Sequence, residues 1–232
     1  MNRAAHTLPL TAAARGADAM AAGEGMWSEA DARAAVAGAY HALGAAGLIA
    51  GSSGNVSVRM TEGMVISPTG TSPEQVTEAG LVRMGLYAPA PRASSEWALH
   101  AALYLDRPEL GAVVHTHSDA CTALACLGEG LPAFHYQVAG FGGDDVRCGA
   151  YATFGTPALA AVAVQAMAGR TACLLSNHGM IAAGRDMAAA LGAARLLETL
   201  ARQYLMARAA GLVRVLSGEE MTAAHERYRT YG

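Results

Sequence analysis

After Ser28 the chain takes on a helical rhythm. Val36, Ala39, Tyr40 and Leu43 fall on one face of a helix that Gly47 can stop, and Asp31 stands three residues beyond Ser28 in an approximate capping box. The period then shortens. Gly51-Ser-Ser-Gly-Asn55 is a glycine-rich turn opening a strand over 56–59, and Thr61-Glu-Gly63 is a hairpin turn into a strand at 64–66, which runs out into Ser67-Pro-Thr-Gly70. Ser72 and Pro73 predict the cap of a short helix, 81–86 a strand, and 88–92 a proline-rich loop. Ser94-Ser-Glu-Trp97 leads into a helix that ends before Pro108. The run 111–116 reads as a strand, and a short helix after it holds Cys121 and Cys126. Further strands are expected at 132–138 and 145–149. A helix follows from Thr156-Pro157 to near Gly169. A buried-type strand from Thr171 to Leu175 delivers Ser176-Asn-His178-Gly. A long Ala/Leu-rich helix covers 186–209, and Ser217 with Glu220 caps the last one. No repeat or linker divides this pattern, so a single mixed α/β domain is expected over 27–232. Residues 1–26, Ala/Gly-rich and poorly patterned, read as a loose leader.

Composition narrows the class. Hydrophobic residues make up 53%, much of it alanine, against 15% charged residues, which suits a compact α/β protein with surface left to bury in an oligomer. A formal net charge of −3 without any basic run removes the electrostatic case for nucleic acid. Four cysteines without a Cys-x-x-Cys pair point to a reduced, cytoplasmic protein, and no apolar run is long enough to predict a membrane helix.

His115 and His117, in Val-Val-His-Thr-His, leave a strand on the same face. Two imidazoles so close are poor neighbours unless something needs both, and a divalent metal does; neutral imidazole suits zinc, whose catalytic sites take three protein ligands. An isolated His-x-His is more often one packed and one solvated residue. His178, in an Asn-His-Gly turn where backbone can bend tightly, supplies the expected third ligand and reverses those odds. Glu96 opens a helix beside Trp97. Alone it would favour the helix dipole; beside a metal it can move a proton. Three small-residue turns, 51–55, 67–70 and 94–95, offer the hydroxyls and N–H groups that cradle a phosphate, although each alone is an ordinary turn. Neither a nucleotide loop ending in Gly-Lys-Ser/Thr nor a dinucleotide fingerprint is present.

From about residue 28 to its end the chain resembles the class II aldolase/adducin family, within it the bacterial L-fuculose-1-phosphate aldolases. The resemblance is carried by Gly51-Ser-Ser-Gly-Asn-Val-Ser-Val-Arg59, Ile66-Ser-Pro-Thr-Gly70, Ser94-Ser-Glu-Trp97, His115-Thr-His117, His135-Tyr136, Tyr151-Ala-Thr-Phe-Gly155 and Asn177-His-Gly179. It implies a central, mainly antiparallel sheet flanked by helices, and a homotetramer with active sites at subunit interfaces. By position it implies one zinc ion per subunit on His115, His117 and His178, with Glu96 as the acid/base. Ser52, Asn55, Thr69, Gly70, Ser94 and Ser95 would bind the phosphate of a sugar phosphate. Tyr136 of a neighbouring subunit would serve the aldehyde oxygen, Tyr231 would join it from a mobile tail, and Phe154 would line the aldehyde side. The chain departs from the pattern at Ala93, which replaces a common proline, and in stopping at Gly232 just after Tyr231.

The implied reaction is aldol cleavage of a ketose 1-phosphate to dihydroxyacetone phosphate and an aldehyde, with zinc as Lewis acid and Glu96 returning a proton. The chain contains no lysine, which excludes a Schiff-base aldolase. Rival readings are an aldolase or dehydratase acting on 5-deoxy- or 5-methylthio-ribulose 1-phosphate, a sugar-phosphate 4-epimerase, in which Asp usually stands where Glu96 does, and a non-catalytic adducin-like binding module, which lacks the complete metal set.

Overall fold

The computed structural model describes residues 27–230; the leader predicted over 1–26 and Tyr231 lie outside the described residues. Ser28 stays extended and its hydroxyl accepts the Asp31 N–H at 3.1 Å, so helix α1 (Glu29–Ala45) begins where the capping pattern places it. The predicted hairpin is β1 (Gly54–Met60) and β2 (Gly63–Ile66), followed by β3 (Val82–Met84). Then come α2 (Trp97–Asp106), β4 (Ala112–Thr116), α3 (Asp119–Cys126), β5 (Cys148–Gly149), α4 (Pro157–Met167), β6 (Ala172–Leu175), β7 (Gly179–Gly184), α5 (Met187–Ala210) and α6 (Gly218–Arg229). Ser217 and Glu220 form the full reciprocal capping box on α6.

Two expectations need correction, and one element was not expected. Residues 132–138 are not a strand: His135 caps a 3-10 helix over Tyr136–Phe141 by accepting the Gln137 N–H at 3.2 Å, so the ladder cannot propagate there. Ser72 and Pro73 start only a turn, closed by the N–H groups of Gln75 and Val76 on the Ser72 carbonyl. Strand β7, which the pattern does not announce, runs through the middle of the sheet.

The seven strands lie in the order β3-β2-β1-β4-β7-β6-β5, antiparallel throughout except for β5 on β6. Alternate residues feed two cores. Val56, Val58, Val65, Val114, Leu174 and Ala182 pack with α1, α3, α5 and α6. Met64, Ile66, Val113, Cys173, Leu175, Ile181 and Ala183 pack with α2 and α4 on the other face. Strands β4, β6 and β7 are buried at every residue, as expected of strands covered by helices on both sides. Buried Glu198 on α5 accepts the N–H groups of Ala120 and Cys121, both at 3.0 Å, and so holds the first turn of α3 directly after the histidine strand.

Candidate metal centre

The site forms at the end of β4. Asn55 on β1 stands opposite His115, and Ser57 opposite Val113, so all four project to the face covered by α2. Glu96 sits at the N-cap of α2 but makes no side-chain cap; its carboxylate turns to the histidines instead. His117 lies one residue beyond β4 rather than within it. His178 comes from the tight connection between β6 and β7, and β7 is the direct neighbour of β4. The left-handed residue of that connection is Asn177, at φ 54°, not Gly179. Gly179 is small for another reason: a Cβ there would meet the Thr116 carbonyl oxygen at 2.5 Å and His117 Cδ2 at 2.9 Å.

The three rings pack edge to face, with centroids 4.8 to 4.9 Å apart. One ligand atom from each of Glu96, His115, His117 and His178 lies within 4.8 Å of all the others. His115 is fully buried and its Nδ1 faces the Met180 carbonyl at 2.8 Å. A carbonyl only accepts, so Nδ1 carries a hydrogen, and Nε2 is the ring atom turned into the cluster. His115 Nε2 stands 3.0 Å from Glu96 Oε2 and 3.0 Å from His117 Nε2.

Burial alone would push the Glu96 carboxyl up, but the His115, His178 and Asn55 groups around it outweigh burial and hold it well below the usual carboxylate range. Burial pushes His117 down to about 4, with His115 and His178 adding to the effect, and lowers His178 as well. His117 and His178 are thus held toward their neutral, ligand-ready form beside the Glu96 carboxylate. His178 Nε2 approaches Glu96 Oε1 to 3.3 Å, yet Oε1 is buried without a hydrogen-bond partner. Four nitrogen and oxygen ligand atoms converge here, and a divalent cation at their centre would satisfy all of them, the unpartnered Oε1 included. Nitrogen and oxygen ligands at roughly 2 Å from one ion would stand about 3.4 Å apart in a tetrahedron, near the 3.0 to 3.3 Å that separate Glu96 from His115 and His178 and His115 from His117.

A cavity of about 150 Å³ opens beside this cluster, lined by Ser52, Asn55, Thr69, Gly70, Ser94, Ser95 and Phe154 together with Glu96, His117 and His178. The two small-residue loops at its rim are stitched together, Thr69 N–H to the Arg92 carbonyl at 3.0 Å and Ser94 N–H to the Ser67 carbonyl at 3.2 Å. Arg92 adopts a left-handed φ of 68° to make that approach. Ser94 is buried and accepts the Glu96 N–H, whereas Ser52, Thr69, Gly70 and Ser95 are exposed to the cavity mouth. Asn55 is committed on both sides of its amide, to Glu96 and to His100. Every predicted phosphate residue thus lines the same space as the metal cluster. Tyr136 does not: within this chain it is half exposed, stacked on His135, and absent from the cavity wall.

The profile of the class II aldolase and adducin N-terminal domain matches residues 34–205. The chain belongs to that family. It is 45% identical over 189 residues to the 5-methylthioribulose-1-phosphate/5-deoxyribulose-1-phosphate aldolase of Rhodospirillum rubrum, covering 80% of this chain and 86% of that protein. To the L-fuculose phosphate aldolase of Escherichia coli K12 it is 43% identical over 190 residues, covering 80% and 88%. Among solved structures, an L-fuculose 1-phosphate aldolase superposes with a TM-score of 0.83 at 36% identity, over 88% of this chain and 98% of that one. The chain is thus a lyase of the class II aldolase kind, an enzyme class that depends on a metal, and the cluster of Glu96 with three histidines is where a metal fits. Among the described residues no helix is long and apolar enough to cross a membrane.

Sequence reasoning missed the residues behind the cluster. His100, Ser57 and Tyr104 form a buried polar chain with Asn55. A signal for it existed: Glu96 and His100 are four apart on one helix, and Asn55 and Ser57 two apart on one strand.

Proposed function

We propose that this protein cleaves a ketose 1-phosphate of the L-fuculose 1-phosphate type into dihydroxyacetone phosphate and an aldehyde. The reading is carried by the convergence of His115 Nε2, which the Met180 carbonyl aims at Glu96 Oε2 3.0 Å away, with His117 and His178 on the same carboxylate. A zinc ion held by His115, His117 and His178 would supply Lewis acidity toward the carbonyl and hydroxyl oxygens of the substrate. Glu96, whose Oε1 is free of hydrogen bonds, takes and returns the proton at the carbon of dihydroxyacetone phosphate. The hydroxyls and N–H groups of Ser52, Thr69, Gly70, Ser94 and Ser95 hold the phosphate, with Asn55 beside them, and Phe154 faces the aldehyde half.

Tyr136, exposed on this chain, fits the role of a group lent to the cavity of an adjoining subunit in a homotetramer. Tyr231 would join it from the C-terminal tail. Four cysteines without a disulfide among the described residues agree with a cytoplasmic enzyme.

One observation favours a second substrate reading. The relative from Rhodospirillum rubrum is as similar as the fuculose phosphate enzymes, and an exposed Phe154 accepts a deoxy or methylthio terminus as readily as a sugar methyl group. The deciding experiment loads the protein with zinc and measures release of dihydroxyacetone phosphate from L-fuculose 1-phosphate, 5-deoxyribulose 1-phosphate and 5-methylthioribulose 1-phosphate. The highest kcat/KM names the substrate. No release from any of them sinks the aldolase assignment.

A further inference from the structure

Behind Glu96 lies a run of buried polar side chains that the proton chemistry itself does not use. Tyr104 Oη stands 2.8 Å from Ser57 Oγ, which stands 2.7 Å from His100 Nδ1. His100 Nε2 stands 2.5 Å from Asn55 Oδ1, and Asn55 Nδ2 donates to Glu96 Oε2 at 3.2 Å. All five residues are buried, His100 completely.

Each hydrogen in this run is assigned by the group at its end. Asn55 turns its NH₂ toward Glu96 Oε2 and its carbonyl toward His100. That carbonyl only accepts, so His100 carries its hydrogen on Nε2. Burial, helped by His115, pushes the His100 pKa down to about 3, and the ring is neutral. Nδ1 then accepts from the Ser57 hydroxyl, whose oxygen accepts from the Tyr104 phenol. The far end is fastened too. Arg59, the next residue on that face of β1, places its guanidinium 4.8 Å over the Tyr104 ring and donates to the carbonyls of Tyr104, Arg107 and Leu110 where α2 ends.

We propose that His100 is a positioning residue for Glu96: by fixing which way the Asn55 amide faces, it ties down Oε2 and leaves Oε1 as the oxygen that carries the proton. With the His100 N–H removed, the Asn55 carbonyl loses its partner, and the side chain is held only by the carboxylate it should position. The inference rests on the proposed role of Glu96 as proton carrier.

A run of hydrogen bonds that only held the core together would respond differently to substitution, and the test uses that difference. His100→Phe removes both ring nitrogens, while His100→Gln returns an N–H near the Nε2 position. In the metal-loaded protein His100→Phe is expected to keep one divalent ion per chain and a KM within about twofold of the parent. It should lower kcat, and the proton exchange of dihydroxyacetone phosphate, about 10- to 100-fold. His100→Gln should recover most of that loss. A His100→Phe kcat within about twofold of the parent, or equal losses in both variants, overturns the inference. If neither variant folds, ring ¹⁵N shifts of the wild-type protein decide. The Nε2–H tautomer at neutral pH supports it, and an Nδ1–H tautomer or an imidazolium overturns it. Glu96→Gln separates the two layers. Undiminished exchange in that variant sinks the proton-carrier reading and this inference with it. A dead Glu96→Gln beside an unimpaired His100→Phe sinks only the inference.

Discussion

Replacing Gly179 by Ala should damage the cation site from behind, without replacing a ligand. The new Cβ would come to 2.5 Å from the Thr116 carbonyl oxygen, 3.3 Å from its carbon and 2.9 Å from His117 Cδ2. Ordinary carbon–oxygen contact begins near about 3.3 Å, so strands β4 and β7 must part by roughly 0.8 Å or the His117 ring must swing away. Thr116 is paired to Met180, and Gly179 to Leu175, so the displacement is resisted on both sides of β7. Overpacking of this kind costs about 1–3 kcal/mol. For a chain of this size each kcal/mol lowers Tm by about 2–4 °C, which gives a drop of roughly 2–12 °C. Thermal melts with chelator and with zinc separate the two effects. The chelated melt reports the strain between the strands, and the rise on adding zinc reports affinity, because a ligand stabilises by RT ln(1 + [L]/Kd). Gly179→Ala should show both a lower chelated Tm and a smaller rise. A variant that melts like the parent under both conditions would refute the close-approach argument.

Four further outcomes are expected. His117→Ala should lose bound metal and turnover together, measured by elemental analysis and dihydroxyacetone phosphate release; full metal content would remove His117 from the ligand set. Glu96→Gln should keep metal and fold but stop deuterium wash-in to dihydroxyacetone phosphate in the absence of aldehyde, since the amide keeps the shape and loses the base. Tyr136→Phe should still exchange that proton yet cleave poorly, and Tyr231→Phe should show a milder form of the same defect; unchanged cleavage in both would return the two phenols to packing and chain end. Burial alone would raise the Glu198 carboxyl, but the Ala120 and Cys121 N–H groups hold it below its ordinary value of 4.5. With the folded pKa depressed, its stabilisation is complete above pH 4.5 and lost as pH falls below it. Glu198→Gln should therefore cost about 1–3 kcal/mol at neutral pH, with the gap from the parent closing in acid, and a gap that does not change with pH in denaturant melts would contradict this.

Much of the architecture was legible because it rests on short-range chemistry. Ser28, Thr156-Pro157, Asp186 and Ser217 each sit where a helix starts, and all four hydroxyl or carboxylate side chains accept a backbone N–H of the first turn. Strand β7 was not legible, for an equally physical reason. Gly179-Met-Ile-Ala-Ala-Gly184 is buried on both faces, so it carries no polar alternation, and its alanines merge with the helix that follows. The same strand explains why His178 meets the other histidines: β7 lies between β6 and β4, and the turn at its start reaches the end of β4. The convergence of Glu96 with the three histidines could be read because a His-x-His pair joined by a third histidine has few other uses. The support behind it was missed, because the Glu96/His100 spacing and the Asn55/Ser57 alternation lie some forty residues apart and only the fold shows that they face each other.

Asn55, Ser57 and Arg59, every second residue of one strand, grip α2 at Glu96 and His100, at His100 and Tyr104, and at Tyr104 and Arg107. Two residues of strand advance about 6.6 Å, and four residues of helix about 6 Å. The two elements therefore work like matched rulers, their graduations agreeing over two full divisions. Sliding the helix by a fraction of a division breaks every rung together, and sliding it by a whole one sets the wrong side chain on each. The carboxylate at the tip thus has its position gauged along the whole length of α2, which makes it a fixed stop against which a sugar phosphate must align itself.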